Sequence, residues 1–213
     1  GHNRKARPSE LAALASIPLV LVFGNSMIIP VLPDMVKRIG ITTLQSSLVV
    51  TLFSLTAAAM IPVSGYLSDR LTRKAVIVPS LIVYGAAGIL AGLGAIWQSY
   101  PVLITARALQ GIGAAGTSPI AMALIGDLYR GGTESKALGL IEASNGTGKV
   151  LSPILGSALA LLVWYAPFFA FPVFCFAALL AVLVWIKEPK KTQKPPGLKE
   201  YARKIGGHLK EKG

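Results

Sequence analysis

Charge is what this chain has least of. Only 14% of its 213 residues are Asp, Glu, Lys or Arg, where a soluble domain carries about a quarter. That is too little polar material to cover a water-soluble globule of this size, which excludes an ordinary cytosolic enzyme. Cysteine is nearly absent. Cys175 alone cannot close an internal disulfide, and its place in an apolar run reads as a small core hydrophobe. The two histidines, His2 and His208, lie outside the apolar runs, and no His, Cys or carboxylate cluster has metal-site spacing. No cofactor is expected.

Apolar residues take the place of the missing charge, at 53% of the chain with a mean hydropathy of +0.62. They gather into six runs, residues 11–32, 44–67, 75–95, 101–124, 137–164 and 166–186, each long enough for the roughly 20 residues that a membrane-spanning helix needs. The first is too long for a signal-peptide core and lacks a cleavage site at its end, so it counts as a span. The expected fold is all-α: one bundle of six transmembrane helices. Residues 1–10 read as a polar amino-terminal stretch, 11–186 as the bundle and 187–213 as a basic tail. Gly1 and His2, with no initiator Met, are expected to be residues left by cloning. Seven prolines (Pro18, Pro30, Pro62, Pro79, Pro119, Pro153 and Pro172) lie inside the runs, as membrane helices tolerate.

The net charge of +12 is placed so as to fix topology. Seventeen of the 21 Lys and Arg residues fall before the first run, at Arg70 to Lys74, at Arg130 and Lys136, or after Ile186. Alternate loops hold only Lys37 and Arg38. Both termini are therefore expected on the cytoplasmic side, with Trp97, Tyr100, Trp164 and Tyr165 at the outer interface. Bases beside apolar spans point to membrane lipids rather than nucleic acid. In the tail, Leu198, Tyr201, Ile205 and Leu209 recur every three or four residues, a pattern equally suited to the inner leaflet and to a solvated linker.

Two motif matches fail in context. Gly111-Ile112-Gly113-Ala114-Ala115-Gly116 spells the dinucleotide fingerprint, but without a preceding strand or an exposed helix start, so close helix packing is expected. Asn145-Gly146-Thr147 is a glycosylation triplet deep inside a run and is discarded.

Between the second and third runs the chain reads Gly65-Tyr66-Leu67-Ser68-Asp69-Arg70-Leu71-Thr72-Arg73-Lys74. This resembles the loop signature of the major facilitator superfamily, G-x-L-A-D-R-x-G-R-K, with Ser68 in place of Ala and Thr72 in place of Gly. Arg107-Ala108-Leu109-Gln110-Gly111 to Gly116 is similar to the family's fourth-helix motif with its buried Arg. Gly139, Gly148, Ser152, Pro153 and Gly156 follow the fifth-helix spacing associated with its proton-coupled antiporter branch, Ser152 standing for a Gly. The resemblance covers residues 11–186 and only the amino-terminal six helices of a family that normally has twelve. It implies half of a two-bundle transporter of the bacterial plasma membrane that exports amphiphilic or drug-like molecules by alternating access, driven by the proton gradient. It further implies a conformational gate made of Gly65, Asp69, Arg70, Arg73, Lys74 and Asp127, with Asp69 meeting the second bundle. The partners would be a small-molecule substrate and a carboxy-terminal half, or a second copy paired through the stripe of Gly148 and Gly156. A metabolite uniporter or importer, or a non-transporting assembly module, are the other readings.

Charged side chains inside a membrane mark a cavity, a partner or a proton path. Glu142, Asn145 and Lys149 form one polar stripe by their spacing, and Arg107, Gln110 and Ser118 another; both are expected to face a central aqueous cavity, and Asn25 either to line the same cavity or to bond a neighbouring backbone. Glu142 is the first candidate for proton coupling. Asp34 is the second, expected to lie within reach of Arg107.

Overall fold

A computed structural model describes residues 6–187 and Gly207. Within them the chain is helical with no strand: α1 (Pro8–Ser26), a 3-10 turn (Ile29–Val31), α2 (Leu32–Ile39), α3 (Thr43–Arg70), α4 (Arg73–Ile96), α5 (Tyr100–Ala114), α6 (Ser118–Leu128), α7 (Gly131–Ala160) and α8 (Ala166–Trp185). These compose the six passes expected. Five segments are long and apolar enough to cross a membrane, α1 with α2 and α5 with α6 each counting as one. The sixth, α7, spans 30 residues, about 45 Å of helix, but its middle holds Glu142, Asn145 and Lys149. The amphipathic piece expected in the tail lies outside the described residues.

Local chemistry sets the helix boundaries. Thr42 and Gln45 form a reciprocal capping box that starts α3, and the Thr72 hydroxyl accepts from the Ala75 N–H to start α4, satisfying amides that a helix start leaves unpaired. Thr72 therefore serves the turn as a cap where the family pattern has Gly. At the end of α2, Gly40 takes the left-handed conformation (φ 73°) that closes a helix most easily when there is no Cβ.

Two expected runs are interrupted. The first breaks between Met27 and Val31, at Pro30, and the fourth at Ala115 to Thr117, just before Pro119. Proline supplies no N–H and crowds the preceding turn; Pro30 falls at the first break and Pro119 in the first turn of the helix that resumes, while Pro18, Pro62, Pro79, Pro153 and Pro172 are carried inside helices. Thr117 relieves its break by donating to the Ala114 carbonyl (2.6 Å). The polar amino-terminal stretch is also shorter than expected: α1 begins at Pro8, and Glu10 is fully buried.

Helix α5 packs on both α3 and α4, and α1 on α7 and α8. Small residues make these approaches possible. A Cβ on Gly113 would sit 2.8 Å from the Tyr84 backbone nitrogen and 2.9 Å from the Ser80 carbonyl oxygen, so the glycines that mimic a nucleotide fingerprint are packing surface. The α7 stripe behaves likewise. Gly156 lies against the Met27 carbonyl, Gly148 against Leu19 and Val22, and Ser152 is fully buried. This corrects the expectation that the stripe pairs two copies, because α1 of the same bundle already covers it. Gly139 has nothing within 4 Å, and Pro153 is half-buried within the helix.

The turn between α3 and α4, the segment after α6, the start of α1 and the end of α8 meet at one end of the bundle, here called the basic end. Tyr100, Trp164 and Tyr165 lie at the other, where Tyr100 donates to the Gln45 carbonyl (3.0 Å) and the Trp164 and Tyr165 rings pack edge to face.

Gly113→Leu is expected to cost about 1–3 kcal/mol by overpacking and to lower the melting midpoint in detergent. Gly139→Leu, placed in open space, should leave the midpoint unchanged; equal effects would mean that the close α4–α5 approach is not limiting.

Candidate functional site

The polar centre of the bundle is built on Arg107, carried by α5 and only 1% exposed. Its Nε donates to the Val49 carbonyl of α3 (2.8 Å) and its Nη1 to the Gly24 carbonyl of α1 (2.8 Å) and to Gln110 Oε1 (2.7 Å). Nη2 donates to Asn25 Oδ1 (2.5 Å), and the guanidinium carbon lies 4.6 Å from the centre of the Phe53 ring. Gly24 sits in the last turn of α1, where carbonyls lack helical partners and the helix dipole is negative. The end of α1 at Ser26 thus frees the Gly24 carbonyl, and the planar fork of Arg107 joins it to the Val49 carbonyl of α3 and to Asn25 and Gln110. Every partner is neutral.

Asn25, Arg107 and Gln110 are thus brought together, enclosed by α1, α3 and α5 rather than open on a cavity wall. Gln110 Nε2 and Ser118 Oγ are buried without a hydrogen-bond partner. Asp34 does not reach Arg107: it lies half-buried on α2, beyond the break, while the guanidinium is occupied by α1 and α3. Tyr84 on α4, not foreseen, extends the network. Fully buried, it donates to the Leu21 carbonyl (2.7 Å) and packs edge-on to Phe171 of α8.

The α7 stripe is separate. Glu142 and Lys149 are exposed and Asn145 half-buried, and none of the three makes a hydrogen bond or ion pair among the described residues. They flank the buried stripe of Gly148, Ser152 and Gly156 on α7, so that packing against α1 half-covers Asn145 and leaves Glu142 and Lys149 open.

At the basic end Arg73 joins three partners. Its Nε donates to Asp127 Oδ2 (2.8 Å) at the end of α6, and its Nη1 to Asp69 Oδ1 (2.7 Å) and to Ser68 Oγ (2.6 Å). Ser68 is fully buried and donates in turn to the Gly65 carbonyl. The other two bases of the turn do different things. Lys74 Nζ donates to the carbonyls of Leu183 (3.1 Å) and Ile186 (2.8 Å), closing the end of α8, where a cation meets the negative helix terminus. Arg70, exposed, donates to the Tyr66 hydroxyl (3.2 Å).

A further buried pair was missed in the sequence: Tyr129, just past α6, donates its hydroxyl to the Glu10 carboxylate in the first turn of α1. The available signal was that Glu10 follows Pro8 at a helix start, a position that favours acids.

Charges held inside a helical membrane bundle are costly and mark functional positions. The chain belongs to the Major Facilitator Superfamily, whose family model matches residues 14–210. It is 42% identical over 208 residues to the bacillibactin exporter of Bacillus subtilis, an alignment covering 96% of this chain and 52% of that protein. It is 29% identical over 181 residues to multidrug resistance protein 1 of the same organism, covering 85% and 46%. Among solved structures it resembles a bacterial homologue of the human lysosomal transporter Spinster, inward-facing and unoccupied, with a TM-score of 0.77 and 22% identity over 95% of this chain and 50% of that one. The chain spans about half the length of the curated relatives it matches.

Arg107→Met would leave two carbonyls, Asn25 and Gln110 without their donor. At about 1–3 kcal/mol per buried unsatisfied group, it should sharply reduce the yield of folded monomer on size exclusion in detergent. Arg107→Lys should recover only part of that yield, because one ammonium lacks the fork that reaches both α1 and α3. Full recovery by Lys would show that charge alone suffices.

Proposed function

We propose that this chain forms one of the two six-helix bundles of a secondary active transporter of the bacterial cell membrane, exporting amphiphilic or drug-like small molecules by alternating access. The observation that carries this reading is the open polar stripe on α7. A helix that must cross the membrane keeps Glu142 and Lys149 exposed and Asn145 half-exposed while its small residues pack on α1, which suits a wall shared with a second bundle and wetted from one side at a time. The names of the relatives support export as the direction.

In this reading both termini face the cytoplasm and the proton gradient drives the cycle. Glu142, about 16 Å along α7 from its basic end, takes up a proton in one access state and releases it in the other, which biases the equilibrium between states. Asp34 is the second candidate for that role. Asn25, Arg107, Gln110 and Ser118 hold the inner wall of the substrate path in place, while Asn145 and Lys149 face the path itself. The turn of Gly65 to Lys74, with Asp127, is the gate, and Asp69 is shared between Arg73 and the second bundle when the transporter opens outward.

Transport into inverted vesicles, with this bundle produced together with a carboxy-terminal half, tests the reading. Accumulation of an amphiphilic dye should collapse when the proton gradient is dissipated. Glu142→Gln should reduce gradient-driven uptake about a hundredfold or more, the scale of a lost acid–base step, without loss of dye binding; undiminished driven uptake by this variant would remove Glu142 from coupling. Asp69→Asn should impair transport at unchanged expression, and near-normal transport would remove the gate from the mechanism.

A further inference from the structure

Between the first and last turns of the helices that cross the bundle, α3, α4 and α8 carry no charged residue. Along the other described helices, Arg107, Glu142 and Lys149 lie deep between the two ends, with Asp34 shallower, half-buried on α2. Arg107 is bonded only to carbonyl and amide oxygens and to an aromatic face, so it has no counter-anion. Lys149 has none either. Glu142 lies two helical turns away, about 10 Å along the axis, and no ion pair joins them among the described residues. Lys149 is also too deep to escape to an interface. It stands about 27 Å from the basic end of α7 and about 16 Å from the other end, while a lysine side chain extends only about 6 Å to its ammonium, the scale on which such residues snorkel from helix ends. The deep cation that is exposed and without an anion among the described residues is Lys149, on α7.

We infer that the transported molecules carry a negatively charged group, recognised by the Lys149 ammonium. This rests on the export reading and deepens it. An ammonium in mid-membrane costs about 2.5–3.5 kcal/mol on insertion scales, a cost offset if the face is wetted and then drawn upon when an anion replaces that water. Asn145, one turn toward the basic end, adds a neutral donor and acceptor on the same stripe, suited to a hydroxyl or amide beside the anionic group. Glu142, two turns from Lys149, repels an anion that slides toward the basic end, so the stripe holds its ligand at one depth. Arg107 contributes its field but not a contact, since its donors are taken by α1, α3 and Gln110.

The test uses vesicles containing the protein with its second bundle and two amphiphilic probes of opposite charge, anilinonaphthalene sulfonate and tetraphenylphosphonium. The unsubstituted protein should favour the sulfonate. Lys149→Gln should lower sulfonate transport about tenfold, as for loss of one partly desolvated charge pair, and leave the phosphonium unchanged. Lys149→Arg should keep the preference and Lys149→Glu should reverse it; since residue 149 is exposed, folding of these variants is checked by unchanged yield and melting. A sulfonate-to-phosphonium ratio unmoved by Lys149→Gln, or an equal loss of both probes as expected if an acid of the second bundle holds Lys149, would overturn the inference. Transport of neither probe by the unsubstituted protein would instead count against export. In that case the fluorescence of bound sulfonate, with and without Lys149, still decides the charge preference.

Discussion

The bundle is organised around a cation with nowhere to go. Arg107 cannot be neutralised by deprotonation in a folded protein, and no acid is within reach, so its burial depends on carbonyl oxygens presented from two other helices. The Gly24 oxygen is available because α1 stops at Ser26, while Val49 lends a second lone pair from inside α3. A continuous first helix would consume the Gly24 carbonyl in its own ladder. The break near Pro30, the close packing of α5 and the enclosure of Arg107 are thus one arrangement, with Tyr84 holding the next turn of α1 to α4.

Polar groups elsewhere divide according to whether the bundle satisfies them. Arg73 is saturated by Asp127, Asp69 and Ser68, and Glu10 is met by Tyr129. The α7 stripe is left open. In a bundle with so little charge this contrast distinguishes groups that hold the fold from groups available to something outside it. It also explains why α7, alone among the long helices, falls short of the hydropathy of a spanning segment.

Much of this was legible in the sequence because the strongest signals were long-range averages. Six apolar runs and the one-sided distribution of bases each sum over many residues, and the Gly65 to Lys74 turn combined residue types rarely found together by chance. Single placements were harder. The interruptions at Met27 to Val31 and Ala115 to Thr117 leave hydropathy unchanged, so Asp34 was expected beside Arg107. Spacing placed Arg107, Gln110 and Ser118 on one stripe, yet spacing on one helix does not reveal which neighbour covers it. The small residues of α7 showed a contact surface without naming α1 as its partner. Glu10 and Tyr129 escaped notice because they stand 119 positions apart, and only the fold brings them together.

One joint at the basic end has a mechanical meaning. Arg73 and Lys74 are consecutive, yet the first ties the turn to α3 and α6 while the second clasps the last carbonyls of α8. Two adjacent peptide units thus behave as a bracket. Through Lys74 the turn is fastened to the end of α8, so the joint that Arg73 shares with Asp69 and Asp127 also bears on the place where α8 ends.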